Sequence, residues 1–309
     1  MTGAFEMIKK TAIVGMGALG LLYANQIAAA YGEDAVSFVM DTERINKYKD
    51  EVFTINGKEV KFKLQNADDK EPADLVIVAV KYNGLASAIE TIRNCVGENT
   101  IIMSVMNGIT SEGIIAQQYG DDHMIYTVAQ GMDAMKFGNE LRYTKMGELR
   151  IGAINKSQED NLKQVIEFFD DIKMPYTKDD DILYRMWAMF MLNVGVNQTC
   201  LAYTTTYSGC LDEANEAHEV FLSAMREVVE LANAEGIALS EKDVKEYCGI
   251  IATLDPDGVP SMRQDGIAKR KSEVEMFAGT VIKMAQKHGI KTPANELLYN
   301  RVMEIESTY

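Results

Sequence analysis

At 309 residues the chain is long enough for two domains, each able to bury a core without disulfides or metals. Its 47% hydrophobic and 25% charged residues are ordinary for a soluble globular protein. A formal charge of −15 argues against a nucleic-acid partner, which needs clustered cations, so any anionic substrate must be met by a local positive pocket.

The first element is Lys10–Val14, a β-branched and apolar strand that runs into Gly15-Met16-Gly17-Ala18-Leu19-Gly20. The spacing G-x-G-x-x-G between a strand and a helix (Ala18–Tyr31) is that of a dinucleotide-binding turn. Gly15 permits the turn, Gly17 admits a pyrophosphate and Gly20 lets helix and strand pack closely. The helix would aim free N–H groups and its positive end at the phosphates. A tight turn kept for packing explains the glycines alone. Lys9-Lys10, the apolar run to Tyr23 and Ala28–Ala30 also imitate a secretory signal. The functional spacing inside that run, and the absence of an apolar stretch long enough to span a bilayer, make a cytoplasmic protein the expectation.

Ala35–Met40 is the second strand, ending at Asp41, 21 positions after Gly20. An acid there accepts hydrogen bonds from an adenosine ribose and repels a 2′-phosphate, favouring NAD over NADP, although Arg44 could offset it. Asp41 can equally cap a helix over Glu43–Lys49, and both roles can hold together. A methyltransferase binding a nucleoside cofactor is the competing reading of this half. Val52–Ile55 and Glu59–Leu64 flank Asn56-Gly57, a strong hairpin signal. Leu75–Val80 is apolar throughout, as a parallel strand buried on both faces should be. Further expectations are a helix over Asn83–Cys95, a strand over Thr100–Val105, a helix over Ser111–Tyr119, a strand over Met124–Ala129, and a hairpin from Leu141–Tyr143 and Glu148–Ile151. Strands alternating with helices imply a doubly wound α/β sheet. Lys81 and Asn107-Gly108 follow two of these strands, where side chains face the cofactor crevice; a solvated strand end is the plainer account of Lys81.

After a helix over Gln158–Asp170 and a turn at Pro175, strand signals cease. Asp181–Tyr203, Asn215–Glu235, Glu241–Leu254, Gly266–His288 and Ala294–Glu306 read as helices, which places a boundary near Asp180: a dinucleotide-binding domain over residues 1–180 and an all-α, substrate-binding domain over 181–309. In the first of these helices Met189, Asn193 and Asn197 form one stripe at i, i+4, i+8. Unpaired buried amides cost roughly 1–3 kcal/mol each, so the two either bond within the helix packing or line a polar pocket. Lys269 and Glu273 read as an i, i+4 surface pair, and Pro260-Ser261-Met262 with Asp265 as an ordered turn before them. Cys95, Cys200, Cys210 and Cys248 lack metal-ligand spacing, and His123, His218 and His288 stand far apart, so no metal site is expected.

These pieces in this order resemble the ketopantoate reductase (2-dehydropantoate 2-reductase) family over nearly the whole chain. The glycine turn Gly15–Gly20, Lys81, Asn107-Gly108, the Trp187…Asn193…Asn197 signature and the Ser261-Met262…Asp265…Glu273 run carry the likeness. It implies hydride transfer from NADP(H), with NAD(H) favoured here by Asp41, to the ketone of a branched 2-oxo acid, a step of pantothenate biosynthesis. It further implies that Asn193, Asn197 and Ser261 hold the substrate's carboxylate and hydroxyl. Gly15, Met16, Gly17, Ala18, Leu19, Gly20, Asp41, Lys81 and Asn107 would bind the cofactor, and Lys81 and Glu273 would serve the reacting centre. Two positions depart from the pattern: the family's general-acid lysine, two residues after the tryptophan, is Met189, whose thioether has no proton to give, and Asp41 stands where many members carry a cation for the NADPH 2′-phosphate. Proton donation would then pass to Lys81 or water. The alternatives are a same-fold reductase acting on another substrate and a nucleotide-binding protein without catalysis. A homodimer is compatible with the helical half.

Overall fold

The computed structural model describes residues 7–309, and its chain divides between Ile182 and Leu183 into two compact units. The first unit begins β1 (Thr11–Val14), α1 (Ala18–Tyr31), β2 (Val36–Met40), α2 (Thr42–Tyr48), β3 (Phe53–Ile55), β4 (Lys58–Val60) and β5 (Lys63–Asn66). It continues with β6 (Leu75–Val78), α3 (Leu85–Thr91), β7 (Ile101–Ser104), α4 (Ser111–Tyr119) and β8 (Met124–Gln130). It closes with β9 (Met135–Phe137), β10 (Glu140–Arg142), β11 (Glu148–Gly152), α5 (Glu159–Asp171) and β12 (Tyr176–Lys178).

Eight strands make one sheet in the order β12-β11-β8-β7-β6-β1-β2-β5, parallel throughout except where β11 meets β8. Every residue of β1, β2, β6 and β7 is buried, which is why these strands are apolar runs rather than alternating ones. The chain leaves β1 towards β2 and β5, then returns to build β6, β7 and β8 on the other side. The β1/β6 boundary is therefore the topological switch point, beyond whose carboxyl end ligands bind in such sheets.

A second sheet, β4-β3-β10-β9, holds the expected hairpin. Asn56 and Gly57 carry it with φ +49° and +78°, the paired positive values that a two-residue turn of this hand needs. Two expectations fail in this unit. Leu141–Tyr143 and Glu148–Ile151 do not form a hairpin: β10 pairs with β9 and β3, and β11 pairs with β8 and β12. The run Glu59–Leu64 is not one strand either, since β4 ends at Val60 and β5 joins the large sheet beside β2.

The second unit is helical: α6 (Ile182–Ala202, starting on the boundary), α7 (Tyr207–Leu211), α8 (Glu216–Ala234), α9 (Glu241–Ile251), α10 (Ser261–Ile267), α11 (Thr280–His288) and α12 (Pro293–Glu306). At Gly195 a Cβ would lie 2.6 Å from Met225 Cγ, so a glycine lets α6 and α8 approach this closely. Ser240 and Asp243 form a capping box that starts α9. Glu227, buried on α8, accepts from the Ala294 and Asn295 amides at 2.7 and 3.0 Å and so caps α12 from a neighbouring helix.

The helix expected over Gly266–His288 is broken. Lys269 takes φ +50°, ending α10, and the chain re-enters helix through a π-turn over Glu275–Gly279. Lys269 and Glu273 therefore do not form the helical pair that the spacing predicts. Arg270 instead meets Asp265 at 2.9 Å, and Lys271 meets Glu306 at 3.7 Å. No helix among the described residues is long and apolar enough to cross a membrane.

Candidate active site

In the first unit the glycines separate by what a side chain would strike. Gly15 has φ +107°, and a Cβ there would lie 2.3 Å from the Ala79 carbonyl oxygen, just past β6. On Gly20 it would lie 2.0 Å from the Gly15 carbonyl oxygen, so α1 sits directly against the end of β1. Gly17 differs: the nearest protein atom to its Cβ would be Ala79 O at 3.8 Å. Its close-approach side is left open, and it caps α1, whose first turn has no acidic residue and no side-chain cap. Crowded first and third glycines, an open second and a bare helix N-terminus fit the pyrophosphate of a dinucleotide.

The other strand-end residues fall along the same carboxyl edge, because β7, β6, β1 and β2 are adjacent and parallel. Asp41 follows β2 and caps α2, accepting from the Arg44 amide at 2.7 Å; the Arg44 Nε lies 3.7 Å from its second oxygen, and both side chains are exposed. Lys81 is exposed after β6 and opens a short 3-10 turn at Tyr82–Gly84. Asn107 is exposed after β7, followed by Gly108 at φ +95°.

Beneath the Asn107 loop lies a polar chain that the sequence did not reveal. Ser104 Oγ and Ser111 Oγ are 2.8 Å apart, Ser111 donates to Glu112 at 2.9 Å, and the Met106 amide reaches Ser104 Oγ at 3.4 Å. Glu112 looks like an ordinary first-turn acid of α4, yet it is buried, and burial pushes its carboxyl from 4.5 up to about 7. The neutral form is favoured in the folded protein, so Glu112's contribution is full below the unfolded carboxylate range and is lost as pH rises through about 7. We expect this to remove about 3 kcal/mol between pH 4.5 and 8, and Glu112→Gln to flatten that slope in urea unfolding against pH. Equal slopes in the two proteins would contradict the assignment.

In the second unit Asn193 and Met189 are half-buried on the stripe of α6, and Asn197 is buried. Asn197 Nδ2 donates to Asn193 Oδ1 at 3.2 Å, while Asn197 Oδ1 accepts from Ser261 Oγ at 3.1 Å and from the Met262 amide at 3.3 Å. These bonds tie α6 to the first turn of α10 and bring three expected site residues into one cluster. Asn193 accepts through Oδ1, so its Nδ2 is the donor that it offers to anything bound beside it. Met189, one turn along, presents a thioether. Asp265 is buried beneath Arg270, and Glu273 lies half-buried in the bend before the π-turn.

The histidines and cysteines lie outside the polar cluster of α6 and α10. His123 and His218 bond backbone carbonyls through Nδ1 at 2.6 and 2.8 Å, and His288 meets Glu235 at 2.6 Å. All four cysteines are free thiols, with Cys200 and Cys210 in contact at 3.5 Å.

Comparison with known proteins agrees with both units. Residues 11–156 match the family model described as ketopantoate reductase PanE/ApbA, and residues 181–306 match its C-terminal model. Curated relatives include the 2-dehydropantoate 2-reductase of Aquifex aeolicus, 26% identical over 96% of each chain. That of Halobacterium salinarum is 27% identical over 95% of this chain and 97% of its own. Among solved structures, D-mandelate dehydrogenase with NADH and anilino(oxo)acetate superposes with a TM-score of 0.84 at 22% identity, covering 97% of this chain and 98% of that one. A ketopantoate reductase of Ralstonia eutropha gives 0.81 at 23% identity, covering 97% and 99%. With the two family models together matching most of the chain, it belongs to the ketopantoate reductase family of nicotinamide-dependent oxidoreductases.

Proposed function

We propose that the protein reduces a small 2-oxo acid, ketopantoate first among them, with NADH preferred over NADPH. The observation that carries this reading is the hydrogen-bonded set of Asn193 and Asn197 on α6 with Ser261 at the start of α10, in a family member. Its free amide donor and hydroxyl are suited to the carboxylate and nascent hydroxyl of a 2-hydroxy acid.

When bound, the nicotinamide supplies the hydride. The N–H groups at the start of α1 hold the pyrophosphate against Gly17. Asp41 accepts from the ribose hydroxyls and disfavours a 2′-phosphate, with Arg44 offsetting part of that repulsion. Within the second unit Asn193 and Ser261 orient the 2-oxo acid, Asn197 holds both of them in place, and Glu273 handles charge and the proton; within the first unit Lys81 serves the cofactor at the strand ends. Met189 packs beside the ketone and supplies no proton, so the reaction runs slowly for its class. The same reading makes the protein a cytoplasmic homodimer, as a ketopantoate reductase of Staphylococcus aureus is dimeric.

Nicotinamide absorbance, followed with ketopantoate and bulkier 2-oxo acids, tests the reading. We expect NADH-dependent turnover, and we expect Asp41→Ala to raise kcat/KM for NADPH relative to NADH about tenfold. No turnover on any 2-oxo acid, alongside tight NADH binding, would leave the non-catalytic alternative. Unchanged discrimination in Asp41→Ala would remove the argument from that acid.

A further inference from the structure

The π-turn after Glu273 has a specific cause in its hydrogen bonds. The Met276 and Phe277 amides both donate to the Glu273 carbonyl, at 2.9 and 3.2 Å, and the Gly279 amide donates to the Val274 carbonyl at 3.0 Å. The register thus slips from i→i−4 at Phe277 to i→i−5 at Gly279, and this slip passes over the Ala278 amide. That amide is buried, and an unmet buried donor is costly. Gln198, wholly buried near the C-terminal end of α6, supplies the acceptor: its Oε1 takes the Ala278 N–H at 2.8 Å. Its Nε2 donates to the Val194 carbonyl at 2.7 Å and to Asn295 Oδ1 at 3.2 Å. Asn295 in turn donates to Glu227 at 2.7 Å.

We propose that Gln198 is the positioning residue of the helical unit: by meeting the amide that the π-turn leaves over, it fixes the backbone that presents Glu273 against the helix that presents Asn197. The residue stands next to Asn197 in sequence, and Phe190 of the same helix packs against Phe277 of the π-turn with ring centroids 6.3 Å apart. One side chain therefore joins two candidate site segments that are about 75 residues apart in the chain. Removing its acceptor gives the π-turn reason to close into ordinary helix, which rotates Glu273 about the turn axis. The role rests on the proposed reaction, in which Glu273 and Asn197 serve one substrate.

Three readouts on the full chain test it. In Gln198→Leu, hydrogen exchange of the peptide over residues 272–281 should speed up about tenfold or more, and kcat/KM for the 2-oxo acid should fall about tenfold or more, with the NADH dissociation constant unchanged. Gln198→Glu keeps the acceptor for Ala278 and, when protonated, a donor for Asn295, with Glu227 the carboxylate nearest to it in this network. Its activity should approach wild type near pH 6 and fall towards pH 8, relative to wild type at each pH. Unchanged exchange in Gln198→Leu, or unchanged kcat/KM with faster exchange, overturns the proposal while the proposed reaction stands. So does a flat ratio of Gln198→Glu to wild type across pH. A wild-type protein that turns over no 2-oxo acid overturns the reaction and the positioning role together, while the exchange result still reports whether the Gln198–Ala278 bond holds the π-turn.

Discussion

Replacing Met189 by lysine should raise kcat on ketopantoate by about 10²–10⁴-fold, the usual worth of a positioned general acid. Position 189 lies one helical turn before Asn193 on the stripe that bears Asn193 and Asn197, and it is half-buried, so an ammonium there gains strength from partial desolvation without being sealed from substrate. KM should change little, because the carboxylate contact offered by Asn193 Nδ2 remains. The gain over wild type should also shrink at high pH as the introduced lysine loses its proton. Met189→Leu is the control, with apolar volume kept and no proton gained, and should match wild type. Steady-state rates for the three proteins with saturating NADH decide the matter. If lysine gives no gain, position 189 does not face the ketone, and the thioether is a packing residue.

Gly17→Ala and Gly20→Ala should fail in different ways. A Cβ on Gly20 would lie 2.0 Å from the Gly15 carbonyl oxygen, a backbone atom that cannot swing aside, so α1 must lift from β1. We expect a loss of about 3 kcal/mol or more of stability, with NADH binding lost as well. A Cβ on Gly17 meets only Ala79 O at 3.8 Å, so the fold should be unaffected within about 1 kcal/mol. NADH affinity should still fall about tenfold or more, since the methyl group occupies the pyrophosphate's approach. Urea unfolding combined with NADH fluorescence titration separates the two. If Gly17→Ala binds NADH as wild type does, the cofactor is not held at this loop.

The parts of this molecule legible in its sequence are those whose cause is local. Buried parallel strands such as Leu75–Val78 must be apolar at every position, and the Asn56-Gly57 turn needs two residues that tolerate positive φ, so each announces itself. Strand partners are not local. Leu141 alternates like a hairpin strand, but its partners are Lys136 and Ile55, chosen by the packing of the small sheet. β12 is three residues long and becomes a strand only because β11 lies beside it. The apolar period from Gly266 to His288 runs on through a break, because Asp265 and Glu306 hold Arg270, Lys271 and the Ser272 amide in a non-helical bend that periodicity cannot register.

The candidate site shows the same division. The glycine triplet and the Asn193–Asn197 stripe follow from spacing along one element. Glu112 and Gln198 could not be singled out, since an acid in a first helical turn and an amide in a long helix are commonplace until their burial is known. A third amide directly after Asn197 in so apolar a helix was the one available signal for Gln198.

Hydride transfer itself is the most direct test of the account. The protein would be incubated with ketopantoate and NADH carrying deuterium at nicotinamide C4 on one face at a time, and the product examined by mass spectrometry and proton NMR. Deuterium at C2 of a single enantiomer of the 2-hydroxy acid, delivered from only one face of the nicotinamide and abolished in Gly20→Ala, is the result expected. NADH bound but no label in ketopantoate or any other 2-oxo acid, in wild type and in Met189→Lys alike, would contradict it.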